Sequence, residues 1–281
     1  MTNPRTPIKK REAEPERAES MSTKSKDGIG ELIKTLFWAL LIAGVFRTLF
    51  FQPFYIPSGS MKDTLLVGDF LFVNKMAYGY SKYSCPFSIC PISGRILGSE
   101  PERGDVVVFR HPGTGQDFIK RLIGMPGDTV QVREGIVYIN GTAAPQEPAG
   151  IFTEVKENQG PQQREPRCAN DPVGKGGACE KPRAVETLPN GVKHDVLNIV
   201  DVPGMPDNTP VYSVPEGHYF FMGDNRDDSL DSRFPVAAGG VGMLPAEYLI
   251  GRADRIVFSA AGRGRFMFWK RRPDRFFQAG G

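Results

Sequence analysis

Histidine is scarce: the 281 residues hold three, His111, His194 and His218, far apart in the chain. A serine-histidine-aspartate triad needs a histidine within hydrogen-bond reach of its nucleophile. His218 opens an apparent strand, His111 closes one and His194 falls in a loop-rich stretch, so each reads as structural. There is no Gly-Xaa-Ser-Xaa-Gly elbow, no His-Glu-Xaa-Xaa-His and no phosphate-binding loop. A hydrolase built on this chain must find its base elsewhere. Charge excess is also missing. A net charge of +3, with no basic stripe interleaved with aromatics, gives no ground for nucleic-acid binding. The four cysteines form two local pairs, Cys85 with Cys90 and Cys168 with Cys179, and neither spacing suits a zinc ribbon or a thioredoxin-like site. No metal is expected. A disulfide, at Cys168 and Cys179 above all, would require an oxidising compartment, and four unpaired loop thiols are the other reading.

Long hydrophobic runs are absent but for one. Residues 1–31 are rich in Lys, Arg, Glu, Pro and Ser without apolar periodicity, a composition that predicts disorder. Residues 32–52 then supply the roughly 20 apolar positions that a bilayer core demands. Lys34 and Arg47 lie near its ends and can snorkel to the headgroups. The run is too long for a cleaved secretory signal, and Phe-Gln-Pro-Phe-Tyr follows where a small-Xaa-small site would stand. The segment reads as one uncleaved transmembrane helix. Arg17, Lys24 and Lys26 precede it and Lys34 stands at its start, whereas only Lys62 follows closely, so the N-terminus is expected in the cytoplasm and the rest outside.

Beyond Gly68 the pattern is β. Asp105-Val-Val-Val-Phe-Arg-His111 is a short β-branched run closed by Pro112, and Asp128-Thr-Val-Gln-Val-Arg133 alternates with period two. Ile136-Val-Tyr-Ile139 runs into Asn140-Gly141, a hairpin signal because a type I′ turn needs positive φ at both central residues. Ala184–Leu188 and Val192–Ile199 flank a second such turn at Asn190-Gly191. Residues 218–222 and 255–258 read as further strands. The fold class is mainly β: an antiparallel β-sheet catalytic domain over 53–143 and 208–261, with an inserted, loop-rich β subdomain over 144–207.

Three segments carry candidate chemistry. Pro57-Ser58-Gly59-Ser60-Met61 follows the membrane run, and alone it reads as a linking turn. Lys120, in Phe118-Ile-Lys-Arg-Leu-Ile123, sits among apolar residues. Burial there disfavours the ammonium and lowers the lysine pKa, which lets the neutral amine act as a general base toward a serine. Arg121 cannot take that role, because a guanidinium does not deprotonate in proteins. Gly223-Asp-Asn-Arg-Asp-Asp-Ser-Leu-Asp-Ser-Arg233 reads as a polar buttress; a calcium loop is the rival idea, but the EF-hand spacing and its final Glu are absent.

These segments, in this order behind an N-terminal anchor, resemble bacterial type I signal peptidase. The matching stretches are 57–69, 103–109, 119–128 and 223–233. The resemblance implies a membrane-bound serine endopeptidase with Ser60 as nucleophile and Lys120 as general base. It implies a Ser58 hydroxyl which, with the Ser60 N–H, forms the oxyanion hole, and a Ser229 hydroxyl that orients the lysine. Asp231, Arg233, Asp224, Arg121 and Asp128 match positions that hold the site together. Implied too are preprotein signal peptides with small-Xaa-small sites as substrates, no cofactor, and work in the bacterial inner membrane beside the translocon, with the catalytic part periplasmic. This chain departs from the pattern in having one membrane segment where many relatives have two, in Lys62, and in residues 76–102.

Only eight residues separate Phe51 from Ser60, so the nucleophile stays within about 30 Å of the bilayer surface. The tail, 262–281, mixes Arg and Lys with Phe and Trp, which suits either an anionic lipid surface or a last strand with a ragged end. Two other functions fit less well. A self-cleaving repressor-type serine/lysine peptidase would not carry an anchor. A non-enzymatic tethered β domain would not depend on Ser60.

Overall fold

A computed structural model describes residues 24–85, 88, 90–260, 272–278 and 280. The apolar run folds as α1 (Lys24–Leu49), and its stretch Gly28–Leu49 is long and apolar enough to cross a bilayer, with side chains exposed throughout nearly all of it. The helix starts eight residues before Leu32, so residues 24–31, expected to be disordered, are helical. Adding a turn to a nucleated helix costs little, because each further residue gains a hydrogen bond. The rest of the predicted disorder, 1–23, lies outside the described residues. Phe51 already belongs to a strand, β1 (Phe51–Tyr55). Pro53 accounts for the early stop, since the residue before a proline is pushed out of the α region. Two compact units result, 1–45 and 46–281.

The second unit is built on a seven-stranded sheet. β1 pairs with β2 (Asp69–Asn74), and Pro53 is tolerated because β1 is an edge strand. A short ribbon follows, β3 (Tyr80–Ser81) with β4 (Arg95–Ile96), and the Cys85–Cys90 disulfide closes a loop within it. The run at 106–109 becomes β5 (Val106–Arg110), paired with β6 (Asp117–Gly124). Val106 and Val108 enter one core with Leu71, Ile119 and Ile256; Val107 and Phe109 enter another with Leu122 and Phe221. Burial on both faces is why this strand reads as continuously apolar.

The predicted hairpins form as β7 (Thr129–Arg133), β8 (Ile136–Ile139) and β9 (Thr142–Ala143), with positive φ at Asn140 and Gly141. A second turn of the same kind, at Glu134 and Gly135, joins β7 to β8. The region 144–207 is more regular than its composition suggests. β10 (Gln146–Val155) and β11 (Ala178–Thr187) are ten-residue strands, and β12 (Lys193–Leu197) completes a three-stranded sheet. The loop between β10 and β11 carries Cys168, bonded to Cys179 on β11. β13 (Tyr212–Ser213) pairs with β7, and β14 (His218–Met222) returns to β6 and to β15 (Leu244–Pro245). The last strand, β16 (Leu249–Ser259), lies between β2 and β5. Every strand ladder among the described residues is antiparallel.

Part of the tail is described. Phe277, Gln278 and Gly280 exchange main-chain hydrogen bonds with β16, and Arg275 forms an ion pair with buried Asp69 at 2.8 Å. These residues behave as a final strand-like segment, while residues 261–271 of the basic aromatic stretch lie outside the described residues.

Candidate active site

The loop between β1 and β2 is closed at its neck by two backbone bonds, Ile56 N–H to Asp69 O and Gly68 N–H to Ile56 O. Met61 and Leu65, one helical turn apart, plug it into the core with no exposed surface. This fixes Ser60 on a loop that cannot drift far. β6 supplies the partner. Ile119 faces the core of that loop, and the Lys120 ammonium nitrogen lies 2.6 Å from Ser60 Oγ and 3.0 Å from the Ile119 carbonyl. Lys120 is 4% exposed. Burial lowers its pKa to about 8, against the opposing pull of Asp231, Asp224 and Asp228. At pH 7 roughly a tenth of the amine is therefore unprotonated, rising to half near pH 8, and it lies within proton-transfer distance of a serine hydroxyl.

Residues 223–233 brace this pair. Asn225 donates from its backbone to Ser60 O (3.1 Å) and from its side chain to Gly59 O (2.9 Å). Asp224 takes a two-pronged bond from Arg121, 2.8 Å on each oxygen, and one from Thr64. Asp231 is held the same way by Arg233 and also accepts from the Gly223 N–H. Burial alone would raise both carboxyls, but Arg121 and Arg233 outweigh it and keep Asp224 and Asp231 below the ordinary range. Gly223 is required for contact: a Cβ there would meet Ser229 Oγ at 2.3 Å and Ser60 O at 2.5 Å.

Ser60, Lys120, Ser58 and Ser229 together line one cleft lobe of about 480 Å³, next to a smaller lobe of about 240 Å³ lined by Phe54, Pro57, Ile119 and the insert residues Gln159 and Arg164. Ser58 is exposed, whereas Ser229 is buried, with its hydroxyl packed against Gly223 and beside Asp231. Asp128 stands apart: it binds Arg103, the Met125 N–H and Asn140, tying the end of β6 to the β7–β8 hairpin.

The histidines are distributed as structural groups. His111 is buried with Nε2 2.8 Å from Gly240 O, and His218 bonds the Glu216 carbonyl. His194 is packed 3.3 Å from Glu186, behind Asp224.

A family model described as "Signal peptidase, peptidase S26" matches residues 29–258. Signal peptidase I of Rickettsia typhi is 37% identical over 246 residues, which cover 85% of this chain and 83% of that protein. The Rickettsia prowazekii signal peptidase I is 38% identical over 230 residues, covering 79% and 77%. The chain belongs to the signal peptidase S26 family. It is thereby a hydrolase of the serine-peptidase class. A crystal structure of a signal peptidase I from Enterococcus faecalis V583 aligns at 25% identity over 55% of this chain and 97% of that one, with a TM-score of 0.28.

Two groups of contacts at this S26 peptidase site were not singled out from sequence. Asn225 and Thr64 lie inside the recognised segments, and their amide and hydroxyl were the available signal. Lys62, noted as a departure and as the basic residue that follows the membrane run, is 3% exposed and bonded to Glu154 and Gln159 of the insert. Nothing in the local sequence announces a partner 92 positions away.

Proposed function

We propose that the chain is a membrane-anchored endopeptidase that removes signal peptides from exported preproteins after small-Xaa-small sites. Ser60 is the nucleophile and Lys120 the general base. The observation that carries the reading is the 2.6 Å approach of Ser60 Oγ to a buried lysine whose pKa is lowered to about 8.

In this mechanism neutral Lys120 takes the Ser60 proton as Oγ bonds to the scissile carbonyl carbon. The Ser58 hydroxyl and the Ser60 N–H stabilise the oxyanion, a contribution of about 3–4 kcal/mol for a donor of this kind. Collapse breaks the C–N bond, and the leaving amine takes the proton back from Lys120. Water, deprotonated by the same lysine, then hydrolyses the ester and frees the signal peptide. Ser229 orients Lys120, and Asp224, Asp231 and their arginines keep the two reacting loops in register. No cofactor enters these steps. On this reading the reaction takes place at the bacterial inner membrane beside the translocon, with the catalytic unit on the periplasmic side; the basic residues ahead of the apolar helix and the two disulfides, which would persist there, support it.

The test is cleavage of a preprotein with an Ala-Xaa-Ala site by the detergent-purified protein, alongside Ser60→Ala and Lys120→Ala. Wild type is expected to cut after the second Ala, with both variants folded by circular dichroism and inactive. Cleavage by either folded variant at the wild-type rate would reject the assignment.

A further inference from the structure

Lys62 stands two residues after Ser60 and lines the smaller cleft lobe, where its ammonium reaches the insert. It donates to Glu154 Oε2 at 2.5 Å and to Gln159 Oε1 at 2.9 Å. Gln159 in turn donates to the same Glu154 oxygen, and the other Glu154 oxygen is held at 2.9 Å by Lys181, which has no exposed surface. Glu154 is the penultimate residue of β10 and Lys181 lies on β11, so the three charges bind the inserted sheet to the loop that carries the nucleophile.

The stem of Lys62 matters as much as its head. It folds back beneath Gly59, where its Cε would lie 3.1 Å from a Cβ at that position. On the same side Gly160 comes so close to the loop that a Cβ there would stand 2.4 Å from Pro57 O. On the other side Asn225 holds Gly59 O and Ser60 O. Residues 57–60 are thus gripped between the 223–233 loop and the insert, and the insert residues Gln159 and Arg164 continue outward as a wall of the smaller cleft lobe.

We propose that Lys62 is a positioning residue that latches the insert, through Glu154 and Gln159, onto the nucleophile loop and so sets both the place of Ser60 and the wall of the cleft. The inference rests on the reading of Ser60 as nucleophile. It gives the insert a task in the reaction: a peptide lying in the cleft is bounded by a wall that stays put only while the latch is closed.

Lys62→Met is the informative variant, because it removes the latch yet leaves Glu154 paired with Lys181, so no buried charge is stranded. In the full-length protein in detergent, kcat is measured per Ser60 able to form an acyl-enzyme, with an Ala-Xaa-Ala preprotein as substrate. A displacement of about 1 Å at a nucleophile can lower a rate by roughly 10²-fold. Lys62→Met is expected to lower kcat per active site at least tenfold, to leave the midpoint of the pH–rate profile near 8, and to hasten protease nicking between residues 156 and 175. A merely structural lysine would lower the number of active sites and leave kcat per site unchanged; kcat within twofold of wild type overturns the proposal. If Lys62→Met does not fold, Gln159→Ala removes one latch partner without touching a charge, and a fall of threefold or more is expected of it. If wild type cleaves no preprotein, the functional reading fails by itself. The latch then stands or falls on the nicking rate, which unchanged in the folded variant refutes it.

Discussion

At the scale of single residues, the proposed chemistry rests on Lys120, a lysine held against its preference. Its ordinary pKa of 10.5 falls to about 8, chiefly through burial. A group lowered in this way destabilises the fold at pH values below its folded pKa, and stability rises as pH climbs from about 8 toward the unfolded value. The difference corresponds to roughly 3 kcal/mol near neutrality. Lys120→Met is therefore predicted to be inactive yet more stable than wild type at pH 7 by about 1–3 kcal/mol, and to lose that advantage above pH 10. Thermal denaturation at the two pH values checks the sign. Asp224 makes the opposite case. Asp224→Asn leaves Arg121 buried without its carboxylate, and a loss of about 3–5 kcal/mol is predicted in urea unfolding. An unchanged midpoint would mean that this ion pair does not hold the site. At this scale residue types alone offered only Lys120, as a lysine among apolar neighbours; 57–61 read by themselves as a linking turn, and the roles expected of Ser60, Asp224 and Asp231 came from the resemblance. The Lys62–Glu154 contact was not legible, since a side-chain pairing across 92 positions leaves no local trace.

At the scale of elements, period and turn chemistry carried the reading furthest. The β7–β8–β9 meander has alternating residues and an Asn-Gly turn, and both signals act locally. β10 escaped notice for an equally physical reason. Pro148 and Gly150 interrupt it, its register shifts between Pro148 and Ile151, and none of its residues is fully buried, so no hydrophobic alternation marks it. Such a strand is held by its neighbour rather than by its own propensity. The Cys168–Cys179 bridge closes a loop of sequence separation 11 over this sheet. Replacing both cysteines by Ala is predicted to lower stability by about 2–3 kcal/mol, with nicking concentrated between residues 156 and 175. If proteolysis starts elsewhere, the bridge is not what secures the loop.

At the scale of the whole molecule, a helix with a 22-residue stretch apolar enough to cross a bilayer precedes the β unit that carries Ser60, the proposed nucleophile. This arrangement predicts a definite topology. Protease added to spheroplasts is expected to digest the β unit and spare an N-terminal fragment, and full protection would reverse the orientation read from the basic residues.

The account turns on Ser60 being activated by the neutral form of Lys120. The most direct measurement is the rate at which Ser60 is acylated by an Ala-Xaa-Ala peptide ester between pH 5 and pH 10, followed by intact-protein mass spectrometry. The account predicts a rate that rises with pH, reaches half its maximum near pH 8 and levels off above it, with no acylation in Lys120→Ala. A flat profile, or an adduct on a residue other than Ser60, would contradict it.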